Sequence, residues 1–347
     1  MPDIPAAFFS SGAFVTCGGQ LYCGWELRPS STRALDAPVA FYAPDFFLRR
    51  PEPWLHPTES SVMDRREFET AVGRHKREIK VFEWWPPSMA EFRETFDSLL
   101  TRINDGELTK AVPVVFETAE GVVSSAILAG LLSNVLSHSP QNLCLYGCWS
   151  NGSGVLGATP ERLFTQPSAN RVHTMALGGT SPACISDDEF LSDQKSRKEH
   201  QLVIDDIVAV LGCMGELTVG PTTVLRLALL SHLQTLIELK SGRPIGYEEL
   251  VKMLHPTPAL GVAPRSAGFG WLLGQNENND RQRFGAPFGV AHKQGESICV
   301  VAIRNIQWDQ DRVVLGAGCG IIKESVYENE WHELALKRLS VKRLLHI

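Results

Sequence analysis

The sequence predicts an α+β fold, with large, mostly antiparallel sheets and helices packed outside them. Apolar runs joined by tight turns outnumber strand–helix–strand units: Asn151-Gly152 separates 143–149 from Val155-Leu156, and Asp309-Gln310-Asp311 separates 298–308 from 312–318. With 347 residues at 44% hydrophobic content, the chain can bury a large core, as one big domain or two.

Residues 1–87 are the least legible, with many prolines, short apolar runs and aromatic pairs such as Trp84-Trp85. Ser88-Met89-Ala90-Glu91 has the form of a capping box. Phe92, Phe96, Leu99, Leu100 and Ile103 follow at helical spacing, and Gly106 can stop that helix. A strand is predicted over 111–116, where Pro113 implies an edge or a bulge. An apolar helix follows over 122–136, then strands over 143–149 and 171–177. A long helix with charges at its start is predicted over 193–211. The chain ends in a strand, turn and strand over 298–318 and a last helix. There Glu330, Glu333 and Lys337 share one face at i, i+3 and i+7, while Trp331, Leu334, Ala335 and Leu339 can face a core.

Composition narrows the function. The net charge of −6 and the lack of a basic run argue against a nucleic-acid partner. No apolar stretch approaches the roughly 20 residues that cross a bilayer, and the first residues lack the basic region of a signal peptide. Cys144 and Cys148 have no second close pair to complete a zinc site, so the eight cysteines read as thiols in a reducing cytoplasm.

Several segments carry possible chemistry. The glycine-rich run Gly316-Ala317-Gly318-Cys319-Gly320 leaves backbone N–H groups free to hold an anion just before the acidic last helix. Carboxylates beside such amides suit a small carboxylated substrate bridged by Mg²⁺, although a solvated acidic helix explains the same residues. In Thr159-Pro160-Glu161-Arg162, Glu161 is either a buried general acid with a raised pKa or a partner of a nearby cation. Gly178-Gly179-Thr180 can approach an anion closely or form an ordinary turn. Glu199 lies among Lys195, Arg197, Lys198 and His200, as a metal carboxylate or as part of a charged face. In Leu254-His255-Pro256-Thr257-Pro258-Ala259, two prolines hold His255 and Thr257 in place. His232 more often signifies a satisfied core histidine. Arg304, inside the apolar run 300–306, is costly unless an anion pairs with it.

The order of these segments, from Lys110 through Glu161, Gly179-Thr180, Glu199-His200, His232-Leu233, the His255-Pro-Thr257-Pro loop, Arg304 and the glycine run to Glu330-Trp-His-Glu333, resembles the chorismate-utilising enzymes. It is most similar to their isochorismate synthases, and the resemblance covers residues 88–345. It implies the fold of isochorismate synthase and anthranilate synthase component I, as a single chorismate-binding domain over 1–347 whose first 87 residues diverge. Lys110 would be the base that activates water, and Glu161 the general acid that releases the C4 hydroxyl. Glu199 and Glu333 would be Mg²⁺ ligands, with Glu330 close to the metal. Arg304 and the amides near Gly318 would hold a chorismate carboxylate, and Gly179 and Thr180 the ring-side carboxylate. His232, His255 and Thr257 would join the substrate site, with Lys337 near its metal end. The implied protein is cytoplasmic, a monomer or homodimer, converting chorismate to isochorismate. Salicylate synthase, or a non-catalytic chorismate-binding member, is the alternative.

Overall fold

The computed structural model describes residues 3–17, 19–34, 36–268, 272, 281–292 and 297–347. Helix α1 (Ala6–Ser10) precedes strands β1 (Ser11–Cys17), β2 (Gln20–Ser30), β3 (Val39–Tyr42) and β4 (Trp54–Asp64). Helices α2 (Arg65–Val72) and α3 (Met89–Asn104) lead to β5 (Lys110–Ala111), β6 (Val114–Glu120) and helix α4 (Ser125–His138). Strands β7 (Cys144–Ser150), β8 (Ser153–Thr159), β9 (Arg162–Ser168) and β10 (Arg171–Pro182) run on to helices α5 (Asp187–Ser192) and α6 (Gln194–Leu211). The hairpin β11 (Gly215–Arg226) and β12 (Leu230–Ser241) precedes α7 (Tyr247–Leu254) and β13 (Val262–Ala263). Strands β14 (Pro287–His292), β15 (Ser297–Val301), β16 (Asn305–Asp309) and β17 (Arg312–Gly318) end at the last helix, α8 (Tyr327–Leu345).

Fifteen of these strands form one antiparallel sheet, in the order β11-β12-β10-β9-β15-β14-β3-β4-β2-β1-β7-β8-β16-β17-β6, while β5 pairs with β13 alone. The N-terminal strands therefore sit mid-sheet and join two arms. Phe288 and Val300 of one arm pack with Tyr146 and Val155 of the other and with Phe41 and Val15 between them, so the sheet curls its faces onto a shared core. Helix α3 forms where predicted. Ser88 Oγ accepts the Glu91 N–H at 3.2 Å, and Phe92, Phe96 and Leu99 are buried on one face. Burying each such side chain contributes roughly 1.5–3 kcal/mol.

The structure corrects three predicted elements. The strand over 111–116 is broken at Val112-Pro113, because proline has no N–H for a ladder. Its first piece pairs with β13 and its second with β17. The predicted helix over 122–136 starts only after Ser124, whose Oγ accepts the Ile127 N–H, and runs on to His138. The strand over 298–308 is two strands, β15 against β14 and β9, and β16 against β8 and β17. Between them Arg304 adopts a left-handed φ of 55°. No helix among the described residues is long and apolar enough to cross a membrane.

Candidate active site

A central cavity of about 60 Å³ gathers residues from eight parts of the chain: Lys110, Glu161, Gly179, Thr180, Glu199, His232, Arg304, Gly318 and Lys337 all line it. Each arrives by a local device. The two-residue strand β5 ends before Pro113 and presents Lys110, which is fully buried. The sharp turn after β8 presents Glu161, whose N–H donates to Thr159 Oγ1 at 3.1 Å while its carbonyl accepts the Val301 N–H. In β10 a bulge falls at Gly179, with φ of 61°. A Cβ there would lie 2.9 Å from Ser196 Cβ, so both backbone and space call for glycine. Asp193 caps α6 by accepting the Ser196 N–H at 2.7 Å, and one turn later Glu199 and His200 turn inward.

The acidic side of the cavity is a lattice of carboxylates and ammonium groups. Lys110 Nζ stands 3.0 Å from Glu199 Oε1, at an angle outside a hydrogen bond. Lys195 Nζ lies between Glu199 Oε2 at 3.4 Å and Glu330 Oε1 at 2.9 Å, and Lys337 Nζ meets Glu333 Oε1 at 2.6 Å and the Gly318 carbonyl at 2.8 Å. Gly320 makes room for this lattice: a Cβ there would come 2.1 Å from Glu199 Oε1. Glu330 and Glu333 line, with Lys195, a neighbouring cavity of about 590 Å³ that shares Thr180 with the first.

Burial and charge set the protonation states. Burial pushes Glu161 up to about 7, against the pull of Lys110 and Lys337. Burial also acts on Glu199, but Lys110 and Lys195 outweigh it and hold that carboxyl well below its ordinary value. Glu330 is raised to about 7 by burial, with Lys195 opposing and Glu333 and Glu199 adding to the rise. Burial thus pushes two of these carboxyls upward, while the neighbouring lysines hold the third down.

Arg304 is held as tightly. Tyr146 Oη donates to the Ile303 carbonyl at 2.8 Å, and Asn305 Nδ2 donates to the Ala302 carbonyl at 2.6 Å and to Tyr146 Oη at 2.7 Å. These bonds fix the left-handed bend. Its guanidinium donates to Ser340 Oγ at 2.7 Å and to His232 Nε2 at 3.0 Å. Arginine only donates, so Nε2 must accept and the proton lies on Nδ1, directed at the Gly179 carbonyl 3.2 Å away. Burial first, then Arg304 and Lys337, keeps His232 neutral. Burial lowers Arg304 itself to about 10.

The structure does not bring His255 and Thr257 to the cavity wall. His255 Nε2 bonds the Phe46 carbonyl at 2.7 Å, and Thr257 Oγ1 accepts the Ala259 N–H at 3.3 Å, so together they shape the loop that delivers Ala259 and Leu260 to the wall. At Gly318 the engaged group is the carbonyl, taken by Lys337. Three residues of the site were given no role in it from the sequence. Lys195 was detectable from its i, i+4 spacing to Glu199; Ser340 and Phe284 carry no local signal.

Three glutamates, Glu199, Glu330 and Glu333, line the two adjoining cavities. All three glutamates offer hard oxygen donors, and Glu330 Oε2 is buried with no hydrogen-bond partner. The Lys195 ammonium already occupies cation-favouring space between two of them. Among the described residues no three acidic, histidine or cysteine side chains are yet grouped tightly enough to share an ion.

The chain resembles known proteins along most of its length. A salicylate biosynthesis isochorismate synthase of Pseudomonas aeruginosa is 34% identical over 219 residues, covering 60% of this chain and 45% of that protein, so the match spans under half of that relative. Isochorismate synthase EntC of Escherichia coli is 27% identical over 320 residues, covering 89% of this chain and 81% of that one. The structure of MenF, the menaquinone-specific isochorismate synthase of Escherichia coli, superposes with a TM-score of 0.79 at 19% identity, over 98% of this chain and 90% of that one, which shows the shared fold. The family model described as chorismate binding enzyme matches residues 58–346, and the chain therefore belongs to the chorismate-binding enzymes.

Proposed function

We propose that this protein is a Mg²⁺-dependent isochorismate synthase, adding water at C2 of chorismate while the C4 hydroxyl leaves. The observation that carries the reading is the pairing, in one cavity, of Lys110 with a buried Glu161 raised to about 7. Lys110 takes a proton from the attacking water; the new C2–O bond shifts the ring double bonds, and the C4–O bond breaks as Glu161 gives its proton to the departing hydroxyl. One water enters and one leaves, so the product is an isomer. Arg304, fixed by His232 and Ser340, pairs with one substrate carboxylate and holds the ring in register. Glu199, Glu330 and Glu333 would hold Mg²⁺, which when bound neutralises the other carboxylate.

The relatives' names favour this reading over other chorismate chemistry, and the free thiols of the described cysteines suit a cytoplasmic enzyme. The test is a chromatographic or NMR product assay of purified protein with chorismate and Mg²⁺, with and without EDTA. Isochorismate formed only with metal is the expected result. Salicylate plus pyruvate reassigns the chain to a salicylate synthase, and unchanged chorismate leaves it a binding protein.

A further inference from the structure

A second cavity, of about 260 Å³, lies behind the catalytic one, and Arg304 lines both. Its walls are mostly apolar, with His138 and Ser340 among the polar exceptions. Leu227 and Leu229 come from the turn between β11 and β12, Leu143 from the approach to β7, and Val341 and Leu344 from α8. Pro160, next to the general acid Glu161, completes the inner wall. Two arginines line this space: Arg304, whose guanidinium donates to the lining Ser340, and the exposed Arg343.

The charge state of Arg304 makes this cavity more than a packing defect. Arg304 is 8% exposed, and its side-chain hydrogen bonds, to Ser340 Oγ and His232 Nε2, are both to neutral acceptors, while Glu333 attracts it without a hydrogen bond or ion pair. Two of its five N–H donors are spent there, so a buried cation retains donors for an anion. A cavity of 150 Å³ lined by apolar side chains accepts a benzene ring, and 260 Å³ has room for one or two fused rings. Mostly apolar walls with two arginines among them complement a flat aromatic body bearing a carboxylate.

We propose that this rear cavity is a regulatory site for an aryl carboxylate, whose carboxylate pairs with Arg304 from the side opposite the substrate. The occupant draws the guanidinium away from the catalytic cavity and weakens the hold on chorismate. Aryl carboxylates are what later aromatisation of the cyclohexadiene product gives, so the site would sense the end of the reaction series. That last step rests on the isochorismate reading; the binding itself does not.

The experiment is calorimetric titration of the full chain with 1-naphthoate and with salicylate, and with 1-naphthalenemethanol as a probe lacking charge. It is repeated on Ala228→Trp, which adds bulk to the cavity lining at an exposed position of the hairpin turn, and on Arg343→Ala. Expected are a single site for the acids, at least tenfold weaker binding of the alcohol, and at least tenfold weaker acid binding in Ala228→Trp with its basal turnover unchanged. Naphthoate should also raise the KM for chorismate in the parent but not in Ala228→Trp. No binding of either acid overturns the proposal, and so does binding unaltered by Ala228→Trp, which with full displacement by chorismate places the ligand in the catalytic cavity. Because the titrations need no turnover, a failure of the rear site and a failure of the isochorismate reading appear in different data.

Discussion

Glu161→Gln removes a proton carrier that the fold holds against its preference. In the unfolded chain this carboxyl ionises near 4.5, and in the folded protein burial moves it to about 7. Between those values the unfolded state has released a proton that the folded state keeps, so this residue's contribution to unfolding free energy falls as pH rises. Below 4.5 it costs nothing. Across 2.5 pH units at about 1.4 kcal/mol each, the cost reaches about 3 kcal/mol by pH 7 and is nearly flat beyond. Glutamine keeps the shape without the charge. The variant should therefore match the parent near pH 4.5 and exceed it by about 3 kcal/mol at pH 8, read as a shift in urea midpoint at unchanged slope. Turnover should fall by roughly 10²–10⁴-fold, the usual share of a general acid. In the parent, turnover should decline as pH rises through about 7, because the acid must be protonated to act. A stability difference that stays constant between pH 5 and 8 would refute the argument, since it would mean that Glu161 titrates like an exposed carboxyl.

Three other substitutions probe the remaining parts of the site. Arg304→Lys loses the fork shared between Ser340 and His232; the KM for chorismate should rise about 10- to 100-fold in steady-state kinetics, with the melting temperature nearly unchanged. In Gly320→Ala the new methyl collides with Glu199 Oε1 and Lys110 Cε, and turnover should drop on the order of 100-fold while circular dichroism stays parental. Lys195→Met strips the cation from between Glu199 and Glu330. Destabilisation on the order of 2 kcal/mol is expected, below that of a fully buried pair because Lys195 is a quarter exposed, and chemical denaturation should show it growing above pH 7 as Glu330 ionises.

Much of the site was legible because its parts follow local rules. The Asn151-Gly152 hairpin, the Asp193-capped helix and the i, i+3, i+7 face of α8 are all short-range signals, and they deliver Glu161, Glu199 and Lys337. Arg304 was legible as a buried cation but not as a bend. The residue is not a glycine, and its left-handed backbone is imposed by Tyr146 and Asn305 through the fold. The first part of the chain hid its strands for another reason. Residues 21–25 of β2 are buried on both faces, so the alternation that marks a half-exposed strand is absent. His255 and Thr257 show the limit of a rigid loop as a clue: two prolines announce fixed side chains without saying whether they face the cavity or the loop itself.

The place of β1–β4 in the middle of the sheet bears on how the chain reaches this state. Tyr42 of β3 pairs with Gly289 of β14, a partner synthesised after most of the chain, whereas Val15 of β1 pairs with Tyr146 of β7. The first strands made thus wait unpaired on one edge until nearly the last ones appear. Closing so long a loop comes late and is entropically unfavourable, which predicts slow folding with an exposed strand edge as the vulnerable intermediate. Chaperone demand and aggregation yield, more than thermal stability, are then the properties most sensitive to changes along β3.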